Sequence, residues 1–233
     1  MIKALIFDLT QTLINSADGF RAAEKAAQEC IAEDINPDSH EAFLAIYREV
    51  RACFHAQSRT SRVELWKEVY RRHDQKPNMP CLEQWENEYW GRVEDLSRLF
   101  PETERVLDAL GGKYQLGLVT NIQHPGRHLL DAFSEIKEHF DSCVLAGADG
   151  MPPKPAAEPF TKCLQQLGVS SDAAVYVGDD WRIDMQGGRN AGMRVVWLQQ
   201  ALLKKKTSQV ETDIPIITTL EPLLNLKLLL ENR

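Results

Sequence analysis

The sequence lacks a long apolar run, an excess of basic residues and any pair of cysteines in a C-x-x-C pattern. None of its hydrophobic stretches is long enough to span a bilayer, so we expect no membrane-embedded helix. The net charge of −7 over 233 residues argues against a general nucleic-acid or membrane-surface binder, since both need a basic face. The short basic cluster Lys204–Lys206 is typical of a solvated loop.

The five cysteines are odd in number and scattered along the chain, at Cys30, Cys53, Cys81, Cys143 and Cys163. This distribution favours reduced thiols over a disulfide framework or a zinc site. Reduced thiols favour a cytoplasmic protein. From the net charge we expect no nucleic-acid and no membrane partner. We also expect a monomer or a homodimer.

The two ends of the chain alternate short apolar runs with helical patterns. The runs are often β-branched and are bounded by Gly, Asp or Pro; they read IKALIF, QLGLVT, SCVLA, AVYVG, RVVWL and IPII. Strands that alternate with helices predict βαβ units and a parallel sheet that is covered on both faces. Residues 1–14 and 100–233 are thus expected to form a three-layer α/β core.

Between these ends, residues 15–99 show no strand pattern. About four amphipathic helices are predicted there, and the apolar residues of three of them fall on one face at helical spacing. These residues are Phe43, Tyr47, Val50 and Phe54, then Leu65, Trp66, Val69 and Tyr70, then Trp85, Tyr89 and Trp90. Their aromatic stripes are typical of a helical-bundle core, so we interpret the segment as an inserted cap domain.

Polar residues stand where the predicted strands end. They are Asp8 after the first strand, Thr120 and Asn121 after the second, Lys154 after the third, and Asp179 with Asp184 after the fourth. Ligands of an open parallel sheet bind at the carboxyl ends of its strands, so these side chains are expected to meet at one rim. Taken singly they carry less weight, since Asp180 or Asp184 could cap the helix that begins near Ile183.

The residue types fit the handling of a phosphate group. Asp8, Asp179 and Asp184 could not share a small site as bare anions, because like charges at close range disfavour one another. Mg²⁺ resolves this repulsion, since it takes oxygen ligands and keeps room for substrate phosphate. Thr120 could then bind phosphate oxygens, with Asn121 beside it, while Lys154 offsets the remaining negative charge.

The motifs IFDLTQTL, LVTN, PPKP and VGDDWRIDMQGGRNAGM identify the chain as resembling the haloacid dehalogenase-like superfamily over its whole length. The resemblance is to small phosphatases with a helical cap after the first motif. It implies a Rossmann-like core, a mobile cap and a small phosphorylated metabolite as substrate. It also implies that Asp8 is the nucleophile and a Mg²⁺ ligand, Thr120 a phosphate binder, Lys154 a charge stabiliser, and Asp179 and Asp184 metal-site residues.

Thr10 departs from the pattern of these phosphatases. They carry a second Asp two residues after the nucleophile, followed by Gly, as D-x-D-G-T, whereas Thr10 and Gln11 stand here. That Asp is the catalytic acid and base, and general acid–base assistance is typically worth about 10²- to 10⁴-fold. The metal contact expected from this position uses the backbone carbonyl, which Thr10 retains. Gln11 would be strained if its backbone required positive φ.

Three functions are compatible with this pattern. The first is a phosphohydrolase slowed by Thr10; P-type ATPases, with D-K-T-G-T, also pair a threonine with an aspartyl-phosphate. The second is a catalytically degenerate metabolite-binding or regulatory protein. The third is a 2-haloacid dehalogenase-type enzyme, which has an aromatic residue at this position and needs no Mg²⁺, so that it would leave the acid cluster unused.

Overall fold

A computed structural model describes residues 1–57, 61–122, 129–203 and 213–231 of the chain. They divide into two compact units. An α/β unit comprises Met1–Asn15, Arg98–Ile122 and Leu129–Arg233, and a helical unit comprises Ser16–Ser97. The boundaries expected from the sequence, after residue 14 and before residue 100, fall close to these divisions. Residues 204–206 lie outside the described ranges, so their assignment to a loop stays a prediction.

The helical unit consists of four helices: α1 (Ala17–Ile35), α2 (His40–Ala56), α3 (Arg62–Arg72) and α4 (Met79–Leu96). Ser39 is the N-cap residue of α2, because its hydroxyl accepts a hydrogen bond from the N–H of Ala42 at 3.3 Å. The apolar faces predicted for α2 and α3 are buried throughout: Phe43, Tyr47, Val50, Phe54, Leu65, Trp66, Val69 and Tyr70. Within the described ranges, no helix is both long and apolar enough to cross a membrane.

The buried face of α4 differs slightly from the predicted one. Tyr89 and Trp90 are buried, but Trp85 is only half-buried, because Leu82 and Val93 complete the face instead. α4 packs closely on α1 at Gly19, where an added Cβ would lie 2.7 Å from the carbonyl oxygen of Val93. A larger residue at Gly19 would therefore push the two helices apart.

The α/β unit is built on a six-stranded parallel sheet in the order β5-β4-β1-β6-β7-β8, while β2 and β3 form a separate antiparallel pair. The strands are β1 (Ala4–Phe7), β2 (Ile14–Asn15), β3 (Arg98–Leu99), β4 (Gln115–Asn121), β5 (Ser142–Ala146), β6 (Ala174–Gly178), β7 (Arg194–Leu198) and β8 (Ile216–Ile217). The remaining helices are α5 (Thr103–Gly111), α6 (Leu129–Ala132), α7 (Ser134–Lys137), α8 (Ala157–Leu167), α9 (Gln186–Asn190) and α10 (Leu226–Glu231). Short 3₁₀ helices cover 171–173, 201–203 and 221–225.

β1 lies at the centre of the sheet, where Phe7 pairs with Leu118 of β4 on one side and with Val177 of β6 on the other. Every residue of β1 and β6 is buried. Because successive side chains of a strand point to opposite faces, both faces of the sheet must be covered. The predicted three-layer α/β architecture with a helical insertion is thus confirmed. Because the sheet is parallel, the carboxyl ends of β1, β4 and β6 lie at the same edge.

Candidate active site

Asp8 directly follows β1, at the edge where the carboxyl ends of the parallel strands lie. Its N–H donates to the carbonyl oxygen of Val177 on β6 at 2.9 Å, so the backbone still follows the sheet. The residue is 5% exposed. A carboxylate buried to this degree requires a positive partner, which Lys154 supplies.

Lys154 lies in the loop after β5, and its side chain is buried. Its Nζ lies 2.6 Å from Oδ1 of Asp8, 2.8 Å from Oδ1 of Asp184 and 2.9 Å from the hydroxyl oxygen of Tyr176. Burial alone would lower the pKa of Lys154, but the charges of Asp184 and Asp8 outweigh burial and raise that pKa. The ammonium therefore stays charged at neutral pH.

The carboxyl group of Asp8 feels opposing influences. Together they raise the pKa of Asp8 to about 6: burial raises it most, the ammonium of Lys154 lowers it, and the charge of Asp184 raises it. The 2.6 Å contact with Lys154 thus offsets the cost of burial only in part. Asp8 is mainly ionised at neutral pH and becomes protonated in mild acid.

The side chain of Asp184 packs against Gly178, the last residue of β6. Its Oδ2 accepts hydrogen bonds from the N–H groups of Asp179, at 3.1 Å, and Asp180, at 3.0 Å. An added Cβ on Gly178 would lie 2.5 Å from Cγ of Asp184, so only glycine leaves room for this carboxylate. Gly178 is therefore part of how the site is built.

The loop after β6 leads into a π-helical turn, Trp181–Met185, and Asp180 begins it. The carboxylate of Asp180 accepts a hydrogen bond from the N–H of Ile183 at 2.8 Å. Of the two acids that could have capped this turn, Asp180 does so. The side chain of Asp184 is left facing Lys154.

Asp8, Asp179 and Asp184 can each offer one carboxylate oxygen, and these oxygens lie within 4.8 Å of one another. The ammonium of Lys154 contacts two of these acids, Asp8 and Asp184. Three carboxylate oxygens this close together suit a hard divalent cation such as Mg²⁺. The backbone of Asp179 is fixed in addition, because its carbonyl oxygen accepts a hydrogen bond from the indole N–H of Trp197 at 2.9 Å.

Thr120 and Asn121 end β4, beyond the level at which β4 pairs with Phe7 of β1. Thr120 is buried. The side-chain amide of Asn121 bonds the backbone of Lys154: its Oδ1 accepts from the N–H at 2.8 Å, and its Nδ2 donates to the carbonyl at 3.3 Å. Asn121 thus holds the loop that presents Lys154, and its expected contact with phosphate stays a prediction.

Thr10 and Gln11 lie in a tight turn after Asp8. The N–H of Gln11 donates to the carbonyl oxygen of Ile14 at 2.7 Å, and Thr10 forms an isolated bridge with the same residue. Gln11 has a φ of 63°, in the left-handed region that favours glycine. The condition stated for strain at Gln11, a positive φ, is therefore met.

Gln11→Gly is expected to raise the free energy of unfolding by roughly 1 kcal/mol, because glycine relieves the left-handed strain and the more flexible unfolded chain takes back part of the gain. Urea denaturation of the purified protein measures the change. Gln11→Ala is the matched control, since it removes the side chain but keeps the strained Cβ. Equal stabilities of the Gly and Ala variants would show that the backbone at this residue is not strained.

Sequence reasoning missed Tyr176, because AVYVG reads as a uniformly apolar strand. A usable signal was present: a buried tyrosine hydroxyl nearly always has a hydrogen-bond partner, and here the partners are polar groups of the site. The hydroxyl lies 2.9 Å from Nζ of Lys154 and 3.1 Å from Oδ1 of Asp184.

Comparison with known proteins gives a consistent assignment. A family profile described as haloacid dehalogenase-like hydrolase matches residues 2–192. A phosphoglycolate phosphatase of Aquifex aeolicus (strain VF5) is 27% identical over 225 residues, which cover 95% of this chain and 93% of that protein.

Two solved structures share the fold. A HAD phosphatase from Thermococcus onnurineus superimposes with a TM-score of 0.70 at 20% identity, covering 97% of this chain and 98% of its own. A 2-haloacid dehalogenase from Pseudomonas syringae pv. Tomato DC3000 gives a TM-score of 0.67 at 24% identity, covering 98% and 99%. Phosphatases and dehalogenases thus share this architecture. With its profile match spanning most of its length, the chain belongs to the haloacid dehalogenase-like hydrolase family and is a hydrolase.

Proposed function

We propose that this hydrolase removes phosphate from small phosphomonoesters in a Mg²⁺-dependent reaction, with Asp8 as its nucleophile. The observation that carries the proposal is the setting of Asp8, whose buried carboxylate is paired with Lys154 and clustered with Asp179 and Asp184. The name of the Aquifex aeolicus relative, a phosphatase, supports the same reaction class.

Asp8, Asp179 and Asp184 would hold the cation, together with the backbone carbonyl of Thr10. When bound, Mg²⁺ supplies positive charge that balances the carboxylates and polarises the phosphate group. This assignment accounts for three carboxylates whose oxygens lie within 4.8 Å of one another.

The chain's own residues would act in two steps. First, a carboxylate oxygen of Asp8 attacks phosphorus while the bond to the leaving-group oxygen breaks, which gives an aspartyl-phosphate and the leaving group as an anion that takes a proton from solvent. Second, water attacks phosphorus and loses a proton to solvent while the bond from phosphorus to the Asp8 oxygen breaks, so that inorganic phosphate leaves and the carboxylate is restored. In both steps the hydroxyl of Thr120 would bind a phosphate oxygen and Lys154 would offset negative charge.

Thr10 limits which substrates react well. A threonine hydroxyl cannot donate a proton to an alkoxide near neutral pH, nor can it deprotonate the attacking water. An aryl leaving group needs little protonation, whereas an alkyl one needs nearly a full proton. Substrates with stabilised leaving groups are therefore expected to be hydrolysed preferentially.

A second candidate is a metabolite-binding or regulatory protein that retains the site without useful turnover. The observation that favours it is the same threonine, combined with an otherwise complete constellation of Asp8, Lys154, Asp179 and Asp184. Such a protein would bind Mg²⁺ and phosphate but release no phosphate from either substrate class. A dehalogenase is disfavoured, because its chemistry would leave this acid cluster without a use.

The test is release of inorganic phosphate from p-nitrophenyl phosphate and from an alkyl phosphate such as glycerol phosphate, each with and without Mg²⁺. We expect the aryl ester to react faster by about 10²-fold or more, since only the alkyl ester needs the missing acid. EDTA should abolish release, and excess Mg²⁺ should restore it. Phosphate release that is absent from both esters at saturating Mg²⁺ would contradict the proposal and favour the binding protein.

A further inference from the structure

Tyr176 lies on β6 and is fully buried. Its hydroxyl oxygen lies 2.9 Å from Nζ of Lys154, 3.1 Å from Oδ1 of Asp184 and 3.1 Å from the carbonyl oxygen of Val119 on β4. One phenol therefore joins the central strand β6, the Lys154 loop and the strand that ends in Thr120.

Between Lys154 and Tyr176, only one assignment of donor and acceptor is possible. The Lys154 ammonium has three N–H donors and no acceptor, so it must donate to the hydroxyl oxygen of Tyr176. The single hydroxyl hydrogen then goes to either Val119 or Asp184. In both cases Tyr176 takes the one N–H of Lys154 that Asp8 and Asp184 leave over.

The ring of Tyr176 has little freedom to move. It packs edge-to-face on Phe160, with ring centroids 4.9 Å apart and planes at 75°. Gly188 approaches so closely that an added Cβ would lie 3.3 Å from Cβ of Tyr176, and one on Gly187 would lie 2.7 Å from the ring of Phe160. Because Gly187 and Gly188 have no side chains, α9 can pack closely against Phe160 and Tyr176.

We propose that Tyr176 is a positioning residue that accepts the third N–H of Lys154 and thereby holds the ammonium midway between Asp8 and Asp184. The proposal rests on the proposed function of Asp8 as nucleophile. Without the phenol oxygen, a buried N–H of Lys154 has no acceptor, and the ammonium can shift toward either carboxylate. The carboxylate of Asp8 then spends less time oriented for attack, which affects turnover more than substrate binding.

Tyr176→Phe removes a single oxygen atom and tests this role with p-nitrophenyl phosphate at saturating Mg²⁺. We expect kcat to fall by about 10- to 100-fold, as for other residues that orient site ligands, and KM to change by less than about threefold. Tyr47→Phe is the matched control. Tyr47 is also fully buried and accepts a hydrogen bond, from the indole N–H of Trp66 at 3.0 Å, but it lies in the helical unit. Its kcat should stay within about twofold of the native value.

A second measurement does not depend on activity. The ¹⁵Nζ–¹H signal of a fully hydrogen-bonded, buried ammonium exchanges slowly, and the signal of Lys154 is assigned by its loss in Lys154→Met. We expect this signal to shift or broaden in Tyr176→Phe and to stay unchanged in Tyr47→Phe. If the native protein releases no phosphate from any ester, the proposed function fails while this signal still tests the positioning role.

Thermal unfolding establishes that both variants are folded. In an active protein, a folded Tyr176→Phe with kcat within about twofold of the native value would overturn the proposal. In an inactive protein, an unshifted Lys154 signal would overturn it. If Tyr176→Phe does not fold, 3-fluorotyrosine at position 176 keeps the hydroxyl but weakens it as an acceptor, and the same directions are expected.

Discussion

Asp8→Asn is expected to reduce Mg²⁺-dependent phosphate release by about 10⁴-fold or more, the scale of loss seen when a covalent nucleophile is removed. The substitution keeps the shape of the side chain, but an amide nitrogen or oxygen cannot form the aspartyl-phosphate. Lys154 keeps Asp184 and Tyr176 as partners, so its ammonium is not left unpaired. The variant should therefore fold, which thermal unfolding can verify.

Asp108→Asn makes the same chemical change on the α/β unit without touching the site. Asp108 lies on α5 with 73% of its side chain exposed, and native activity is expected. Activity of Asp8→Asn at the native level would mean that another group is the nucleophile or that a contaminating phosphatase is being measured. The ratio between the two variants therefore tests the role of Asp8 directly.

Thr10→Asp is expected to increase the hydrolysis of an alkyl phosphate by about 10²- to 10⁴-fold, the usual contribution of a general acid and base. The gain on an aryl phosphate should be much smaller, because that leaving group departs without a proton. Steady-state phosphate release from both esters by the native chain and the variant measures the difference. The effect should appear mainly in kcat.

Thr10→Asn is the control for this gain of activity. Asparagine matches aspartate in shape and polarity, but it cannot exchange a proton near neutral pH. Equal alkyl phosphate activities of the Asp and Asn variants would show that the missing acid is not what limits the native chain. A gain confined to aspartate would identify position 10 as the place where acid–base catalysis is absent.

Much of the fold and the composition of the site could be inferred from local patterns. The strand ends of a parallel sheet share an edge, so the rule that places Asp8 there also places Asp179 and Asp184. The structure brings these acids together with Lys154, as that rule predicts. The positive φ of Gln11 was likewise foreseeable from the motif, because glycine usually stands there.

The remaining features depend on partners that are distant in the sequence. Asn121 bonds the backbone of Lys154, 33 residues later, and this contact exists only because a loop folds back on the end of β4. The sequence pattern predicts that Tyr176 is an ordinary core residue, and only the structure places the ammonium of Lys154 beside its hydroxyl. Trp85 satisfies the helical pattern, but Leu82 and Val93 occupy the buried face of α4. Periodicity identifies a face of a helix, and the packing of neighbouring helices sets its edges.

The central place of β1 has a consequence for synthesis of the chain on the ribosome. Ala4 pairs with Gln115 on one side and with Ala174 on the other, so β1 gains its first neighbour only after residue 115 and its second only after residue 174 has been made. The helical unit, by contrast, is continuous from Ser16 to Ser97 and can begin to fold as it emerges. Contacts between such distant segments form slowly. Asp8 thus acquires its partners Lys154 and Asp184 only long after it has itself been made.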